Sequence, residues 1–502
     1  MNSKLKGIII CGVLIASLGA AMVILDKTKT DSNSNSSDTS DIVNSIIQDE
    51  ATLPLMSVEK SSIKHIKINN KYGEINFNRI ASTTDLTDAE WEIEELKDIN
   101  TISTYISATA NISCSLTAKV LVEENASDFK KYGLDELDTT TVVITTDTGE
   151  KTFLIGNEST EEGYSYVREK GSSKVYTVLS SNLTYYRSAK EFFVNTAIVP
   201  EPSDDAFPVL ERLTITRKDI DYDMVFVTAK ESDSPVSMIS AQVMISPIYQ
   251  YLNVTRSADV THGIWGLTAS EAVVVNPTDE DFAKYGLSDP FASVILDSSA
   301  EDYTLKIGNP IYAKDDNGKD TTVVSGYYAY INAKGANVIY ILSAEECVWA
   351  TVVPGDIISG LMTYNYIIDV SEIISVKDGV TNTFSLNSYD TDSDGAKDKT
   401  DIKLNSKAID EEEFKLFYQF IMGCPTTETY FEPITDEKLY MSLTIKLNNG
   451  KSQVINFYTS TDRRLIVELD GLVSYKIPTS YAERFISNIQ ALSEGNKIVT
   501  AY

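Results

Sequence analysis

The sequence predicts an α+β protein: three tandem repeats of mainly antiparallel sheet with helices, set behind one N-terminal transmembrane helix. Three observations predict it. "KVLVEENASDFKKYGLDELDTTTVVITTDTGEKTFLIGN" (Lys119 to Asn157) returns as "AVVVNPTDEDFAKYGLSDPFASVILDSSAEDYTLKIGN" (Ala272 to Asn309). Alternating apolar stretches are broken by turn signals such as Thr148-Gly149 and Asn449-Gly450, the pattern of local hairpins, and no Gly-rich nucleotide loop follows any of them. An uncharged run from Gly7 to Leu25 follows Lys4 and Lys6.

The elements follow in chain order. Residues 1–6 form a short tail, read as cytoplasmic. Residues 7–25 rise about 28 Å as a helix, close to the hydrocarbon thickness of a bilayer. Cys11 follows Ile10 inside this run, which argues against a lipoprotein signal. Cleavage after Ala21 would leave Met22-Val23-Ile24-Leu25 at the new terminus, so the segment reads as an uncleaved signal anchor with the body outside the cell membrane. Residues 26–57 are rich in Ser, Asn and Asp and bury too little apolar surface to offset ordering, so they read as a flexible polar linker.

Repeat 1 spans 58–200, repeat 2 spans 208–362, and a degenerate repeat 3 spans 368–495. Each opens on a hairpin ("SIKHIKI", "VLERLTI", "SEIISVKDGVTNTFSLN"), and a helix follows, near "DINTISTYISATANI" in the first and "DEEEFKLFYQFIMGCP" in the third. A strand, a short motif, a second hairpin, a further strand and a closing helix complete the plan. The third copy has lost both the Lys-Tyr-Gly-Leu and the Ile-Gly-Asn words.

"DFKKYGL" (Asp128 to Leu134) and "DFAKYGL" (Asp281 to Leu287) are explained by helix capping. Asn125 or Thr278 suits the N-cap, with Asp128 or Asp281 three residues on. Gly133 and Gly286 suit the left-handed position that ends a helix. Phe129 with Leu134, and Phe282 with Leu287, then make the apolar contact of a Schellman motif. In "LIGN" and "KIGN", Gly156 and Gly308 are expected to end a strand in a bulge or turn before an Asn that tolerates unusual backbone angles. Tyr164, Tyr166, Tyr327, Tyr328 and Tyr330 are expected to cover the sheet.

"WEIEE", "VEENASDFKKYGLDE", "TFLIGN" and "GYSYVREKGSSKVYTVLSS" resemble the bacterial family known as domain of unknown function 4340. The resemblance covers the first two repeats well and the third faintly. It implies a membrane-tethered extracytoplasmic protein and, from the association of members with ABC-type transport and gliding-motility-like auxiliary proteins, an accessory role. The family supplies no catalytic residues to carry over.

Composition narrows the function classes. A net charge of -30 repels nucleic acid and anionic headgroups, so nucleic acid is not an expected partner. Two histidines, His65 and His262, leave little for histidine-based catalysis or metal binding. Cys114 and Cys424 fall at equivalent points of two repeats and read as small buried residues. The one metal-like pattern is "DTDSDGAKDKTD". Asp390, Asp392, Asp394, Asp398 and Asp401 occupy positions 1, 3, 5, 9 and 12 of a calcium loop, with Gly395 at 6. Its flanks read as strands, which favours a solvated acidic hairpin loop over calcium as a cofactor. The reading is therefore a non-enzymatic, membrane-tethered accessory or binding protein partnered by ABC-type transporter subunits or an envelope complex. The alternatives are an envelope hydrolase acting on carbohydrate and a calcium-dependent surface adhesion module.

The anchor reading makes a direct prediction. Mass spectrometry of the membrane fraction should recover peptides that precede Ala21, and a mature chain beginning near Met22 would overturn it.

Overall fold

The computed structural model describes residues 53–80, 90–135, 139–203, 206–229, 240–392, 395–426 and 428–502. The tail 1–6, the segment 7–25 and the linker up to residue 52 lie outside them. Among the described residues no helix is long and apolar enough to cross a membrane. The end of the expected linker belongs to the body: Leu53–Pro54 pairs with Thr117–Ala118, Val58 N donates to Cys114 O at 3.0 Å, and Met56 is buried. An apolar Leu-Pro-Leu-Met stretch there can bury surface that the Ser/Asn/Asp stretch before it cannot.

The described residues form three large antiparallel sheets, of eight, nine and eight strands, whose central strands follow one common order. Each grows from a central strand: Ile63–Asn70, Leu210–Arg217 or Val370–Lys377. A regular strand would bury every second residue, but these bury Ile63, Ile66 and Ile68, then Leu210, Leu213 and Ile215, and Val370 and Ile373. The extra residue in the first interval is a β-bulge. Register with the neighbouring strand shifts between Ile63 and His65, between Leu210 and Arg212, and between Val370 and Glu372. The bulge returns the first apolar side chain to the core face and bends the strand there.

In the first sheet the chain leaves the central strand outward through Gly73–Ile80 and Glu90–Ile93. It crosses by the helix Ser103–Cys114 to the far-edge strand Val120–Glu123. It returns as Thr140–Thr146 beside the central strand, then meanders through Gly149–Glu158 and Tyr164–Glu169 to Val175–Leu179, which pairs with the far edge. The second sheet repeats this path with the helix Val254–His262 and the far-edge strand Glu271–Val275. In the third, the helix Glu411–Met422 is capped by Asp410, whose side chain accepts from Glu413 N at 3.0 Å. The far-edge strand is reduced there to a single bridge, Thr429 to Tyr475.

The closing helix differs from expectation. Among the described residues only the third copy has a long one, Thr479–Glu494, packed on Glu411–Met422 through Phe417 against Phe485 and Phe420 stacked on Tyr481. The first two close in short turns at Ser180–Leu183 with Thr184–Arg187, and Val348–Ala350 with Pro354–Ile357. The chain divides into two compact units, Met1–Asn195 with Tyr312–Val324, and Thr196–Ile311 with Ser325–Tyr502. The second unit thus contains nearly all of two sheets.

The repeated words interlock. Gly133 and Gly286 have φ of 65° and 74°, the left-handed conformation expected of them. Leu134 N donates to Phe129 O at 3.1 Å and Leu287 N to Phe282 O at 2.7 Å. Gly133 N and Gly286 N complete the paired bonds of a Schellman motif by donating to Lys130 O and Ala283 O. Thr278 and Asp281 form the expected capping box of Asp279–Lys284. The first copy departs from this: it has only the short turn Lys130–Tyr132, without an Asn125 cap, and Asp128 instead accepts from Lys130 N at 3.1 Å.

The Ile-Gly-Asn words do not end a strand, since Gly149–Glu158 and Tyr303–Lys314 run through them and neither Asn has positive φ, but register with the next strand shifts between Ile155 and Glu158, the bulge expected at Gly156. Their glycines are needed for close approach. A Cβ on Gly156 would lie 2.2 Å from Tyr132 O, and one on Gly308 would lie 2.3 Å from Tyr285 O. The adjoining Asn309 seals the helix end: its N donates to Tyr285 O at 2.9 Å and its Nδ2 to Lys284 O at 3.2 Å. The tyrosines expected on the sheet cover these words. Tyr166 packs on Tyr132, Tyr328 on Tyr285 and Tyr330 on Phe282.

Because a Cβ at Gly308 meets backbone on a neighbouring element, Gly308→Ala should destabilise the second unit by about 1–3 kcal/mol. Gly379, in the same unit and in open space with φ of 78°, carries only the conformational cost of about 1 kcal/mol on the same change. Thermal melts of the two variants should rank them in that order, and equal melts would refute the interlock.

Candidate functional site

The second unit contains a cleft of about 940 Å³. One wall is the two-residue edge strand Gln250–Tyr251 with Tyr249, another the segment from Met362 to Asp369, and the third the turns at Leu447–Gln453 and Leu469–Leu472 of the third sheet. Two hairpin turns therefore position part of the lining. Gly450 and Gly471 take φ of 83° and 88°, which lets the strands reverse tightly beside the cleft.

Behind the cleft lies a buried polar knot. Gln250, 1% exposed, donates from Nε2 to Tyr475 Oη at 2.6 Å and accepts at Oε1 from the Tyr364 hydroxyl and from Tyr251 N. Burial pushes both tyrosine hydroxyls far above their ordinary pKa, so they remain neutral hydrogen-bonding groups. Tyr251 and Tyr364 meet edge to face at 4.8 Å, and Val243 joins them in one apolar cluster. Tyr418 Oη donates to Asn365 O at 2.6 Å, and Met362 N to Met422 O at 2.9 Å, so the helix Glu411–Met422 braces the Met362–Asp369 wall.

The mouth is different in character. Tyr249 and Tyr366 are 51% and 45% exposed. The Asn448 amide donates to Ile368 O at 3.0 Å, and Asp470 accepts from Val454 N at 2.7 Å. The lining mixes aromatic faces, neutral amides and a few separated charges. Such a surface can stack and hydrogen-bond a ligand, and its buried hydroxyls are held in the protonated state.

The sequence-predicted calcium residues lie elsewhere, on the hairpin joining Val380–Tyr389 to Lys399–Leu404. Asp390 accepts from Asp392 N at 3.0 Å and from Gly395 N at 2.7 Å. Asp398 accepts from Thr391 N at 2.9 Å and from its hydroxyl, and the hydroxyl bond chiefly holds the Asp398 carboxyl below its usual range. Asp401 sits within the strand opposite Asn387, where Tyr389 Oη reaches it at 3.4 Å. Asp394 lies outside the described residues. Among the described residues no three acids, histidines or cysteines gather as a metal cluster.

Other expected chemistry is dispersed. His262 packs against Phe207 and Trp265, and desolvation lowers its pKa. Cys347 and Cys424 are buried free thiols, and burial pushes Cys347 up to about 12. Cys114 is only half-buried, contrary to expectation, because it ends its helix and its thiol donates back to Asn111 O at 3.1 Å.

Sequence reasoning missed the cleft because no motif marks it. Its residues come from four separated stretches, and the only local signal was the Asn449-Gly450 turn. The knot makes a prediction. Gln250→Ala leaves two buried tyrosine hydroxyls without their partner, so it should destabilise the second unit by about 2–4 kcal/mol. Denaturant unfolding should show the loss in that unit's transition alone, and an unchanged transition would refute the role.

No curated protein and no solved structure matches the chain. Residues 91–219, running from the outer strand of the first sheet through its helix, both repeated words and the central strand of the second sheet, match the family described as Domain of unknown function (DUF4340).

Proposed function

We propose that the protein is a non-enzymatic binding protein, built of three tandem repeats and held outside the cell membrane by its N-terminal apolar run. It works with an ABC-type transporter or a related envelope complex. The observation that carries the binding reading is the cleft beside Gln250. Its volume, its half-exposed tyrosines and its neutral amides suit recognition, while its buried hydroxyls have pKa values pushed away from any proton-transfer range. The Gly7–Leu25 run supports tethering, and the net charge of -30 supports a body held clear of anionic headgroups.

The test uses the full chain in its own membranes. After alkaline carbonate washing the chain should stay in the membrane pellet, and protease added to cells with an opened envelope but an intact cell membrane should digest the body. Crosslinking followed by mass spectrometry should then recover integral transporter subunits. Release by carbonate, or a body protected from protease, overturns the tethered reading; turnover of glycosidic substrates by the purified chain overturns the non-enzymatic one.

A further inference from the structure

We infer that the cleft beside Gln250 takes an uncharged oligosaccharide, a proposal that rests on the binding reading above. Main-chain recognition is blocked there. The edge strand Gln250–Tyr251 would offer a peptide a row of backbone groups, but the chain itself covers it. Leu252 bridges Ile358, Ser359 N donates to Tyr251 O at 2.8 Å, and Asn253 N donates to Ile357 O at 2.8 Å. An extended peptide could not add as a strand there, so recognition falls to side chains.

Those side chains have the chemistry of sugar binding. Tyr249 and Tyr366 present half-exposed rings at the mouth, suited to the apolar C–H faces of pyranose rings. Asn365 and Asn448 use their Nδ2 groups within the protein, toward Thr363 Oγ1 and Ile368 O, which leaves their Oδ1 atoms to accept from hydroxyls. The Asn449 Oδ1 accepts from Lys451 N, which leaves its Nδ2 to donate. Asp369 adds a carboxylate able to accept from two adjacent hydroxyls. A ligand rich in hydroxyls can both donate to the first set and accept from the amide, and it needs no net charge. The cleft's charged groups are few and of both signs, which suits neither a strongly anionic nor a strongly cationic ligand.

The experiment is isothermal titration calorimetry on the full chain in nanodiscs. The probes are maltohexaose, cellohexaose and chitohexaose, with an uncharged Gly/Ser/Asn octapeptide as the competing class. At least one hexasaccharide should bind saturably below about 1 mM, and Tyr249→Ala and Tyr366→Ala should each weaken it about tenfold. Both rings are half exposed, so the melts of these variants should stay close to that of the parent. Asp369→Asn should weaken binding without changing which sugar is preferred. No saturable binding of any hexasaccharide up to about 10 mM overturns the proposal, as does binding unaffected by both tyrosine variants. If the octapeptide binds instead and the tyrosine variants abolish it, the saccharide inference fails while the binding reading stands. If no probe binds but transporter subunits are still crosslinked, the saccharide inference fails and the accessory reading survives.

Discussion

Each sheet depends on one long-range pairing. Ile63–Asn70 must find Thr140–Thr146, Leu210–Arg217 must find Ala292–Ser298, and Val370–Lys377 must find Leu439–Leu447. In each case roughly sixty to seventy-five residues intervene, whereas the hairpins on either side join strands that are neighbours in the chain. Only this pairing joins the two halves into one sheet with one buried face, against which the crossing helix can pack. The bulge at its start orients that face. Without the extra residue, Ile63, Leu210 and Val370 would point away from the residues they share a core with.

The two repeated words add a second constraint, and their joint absence from the third sheet follows from it. The left-handed glycine of one word and the side-chain-free glycine of the other are each other's steric condition. Gly133 faces the Asn157 side chain while Gly156 lies under Tyr132 O, and Gly286 and Gly308 repeat the arrangement with Asn309 and Tyr285 O. Once one partner is lost, the other has nothing to fit. The third sheet also lacks a full far-edge strand, and a long closing helix fills its core in place of the short turns. The C-terminal residues extend that packing, with Tyr502 set on Phe420 and Tyr481.

The cleft belongs to the junction of the second and third sheets. Gln250 and Tyr475 are 225 positions apart in the chain, yet they form one hydrogen bond in a site closed to water. A buried polar group must find its partner or lose stability, so this knot fixes the register of the two sheets more sharply than apolar contact would. It ties the buried side of the cleft together by hydrogen bonds, while Tyr249 and Tyr366 stay half exposed.

The mainly antiparallel class, the turns at Thr148-Gly149 and Asn449-Gly450, and the left-handed glycine that closes each Lys-Tyr-Gly-Leu word were legible along the chain. These are local: alternation, an Asn-Gly turn and a left-handed glycine act over a few residues. The sequence also showed the strand flanks of the Asp390 to Asp401 loop, which the structure places on a hairpin. Tertiary structure decided the rest. The close approach that requires Gly156 and Gly308 depends on a carbonyl more than twenty residues away, so a local reading could assign them only a bulge or turn. The half-buried Cys114 depends on where its helix ends against the sheet. The cleft depends on four stretches meeting, and Gln250, Asn365 and Tyr475 carry no pattern along the chain, because the side chains they must satisfy are neighbours only after folding.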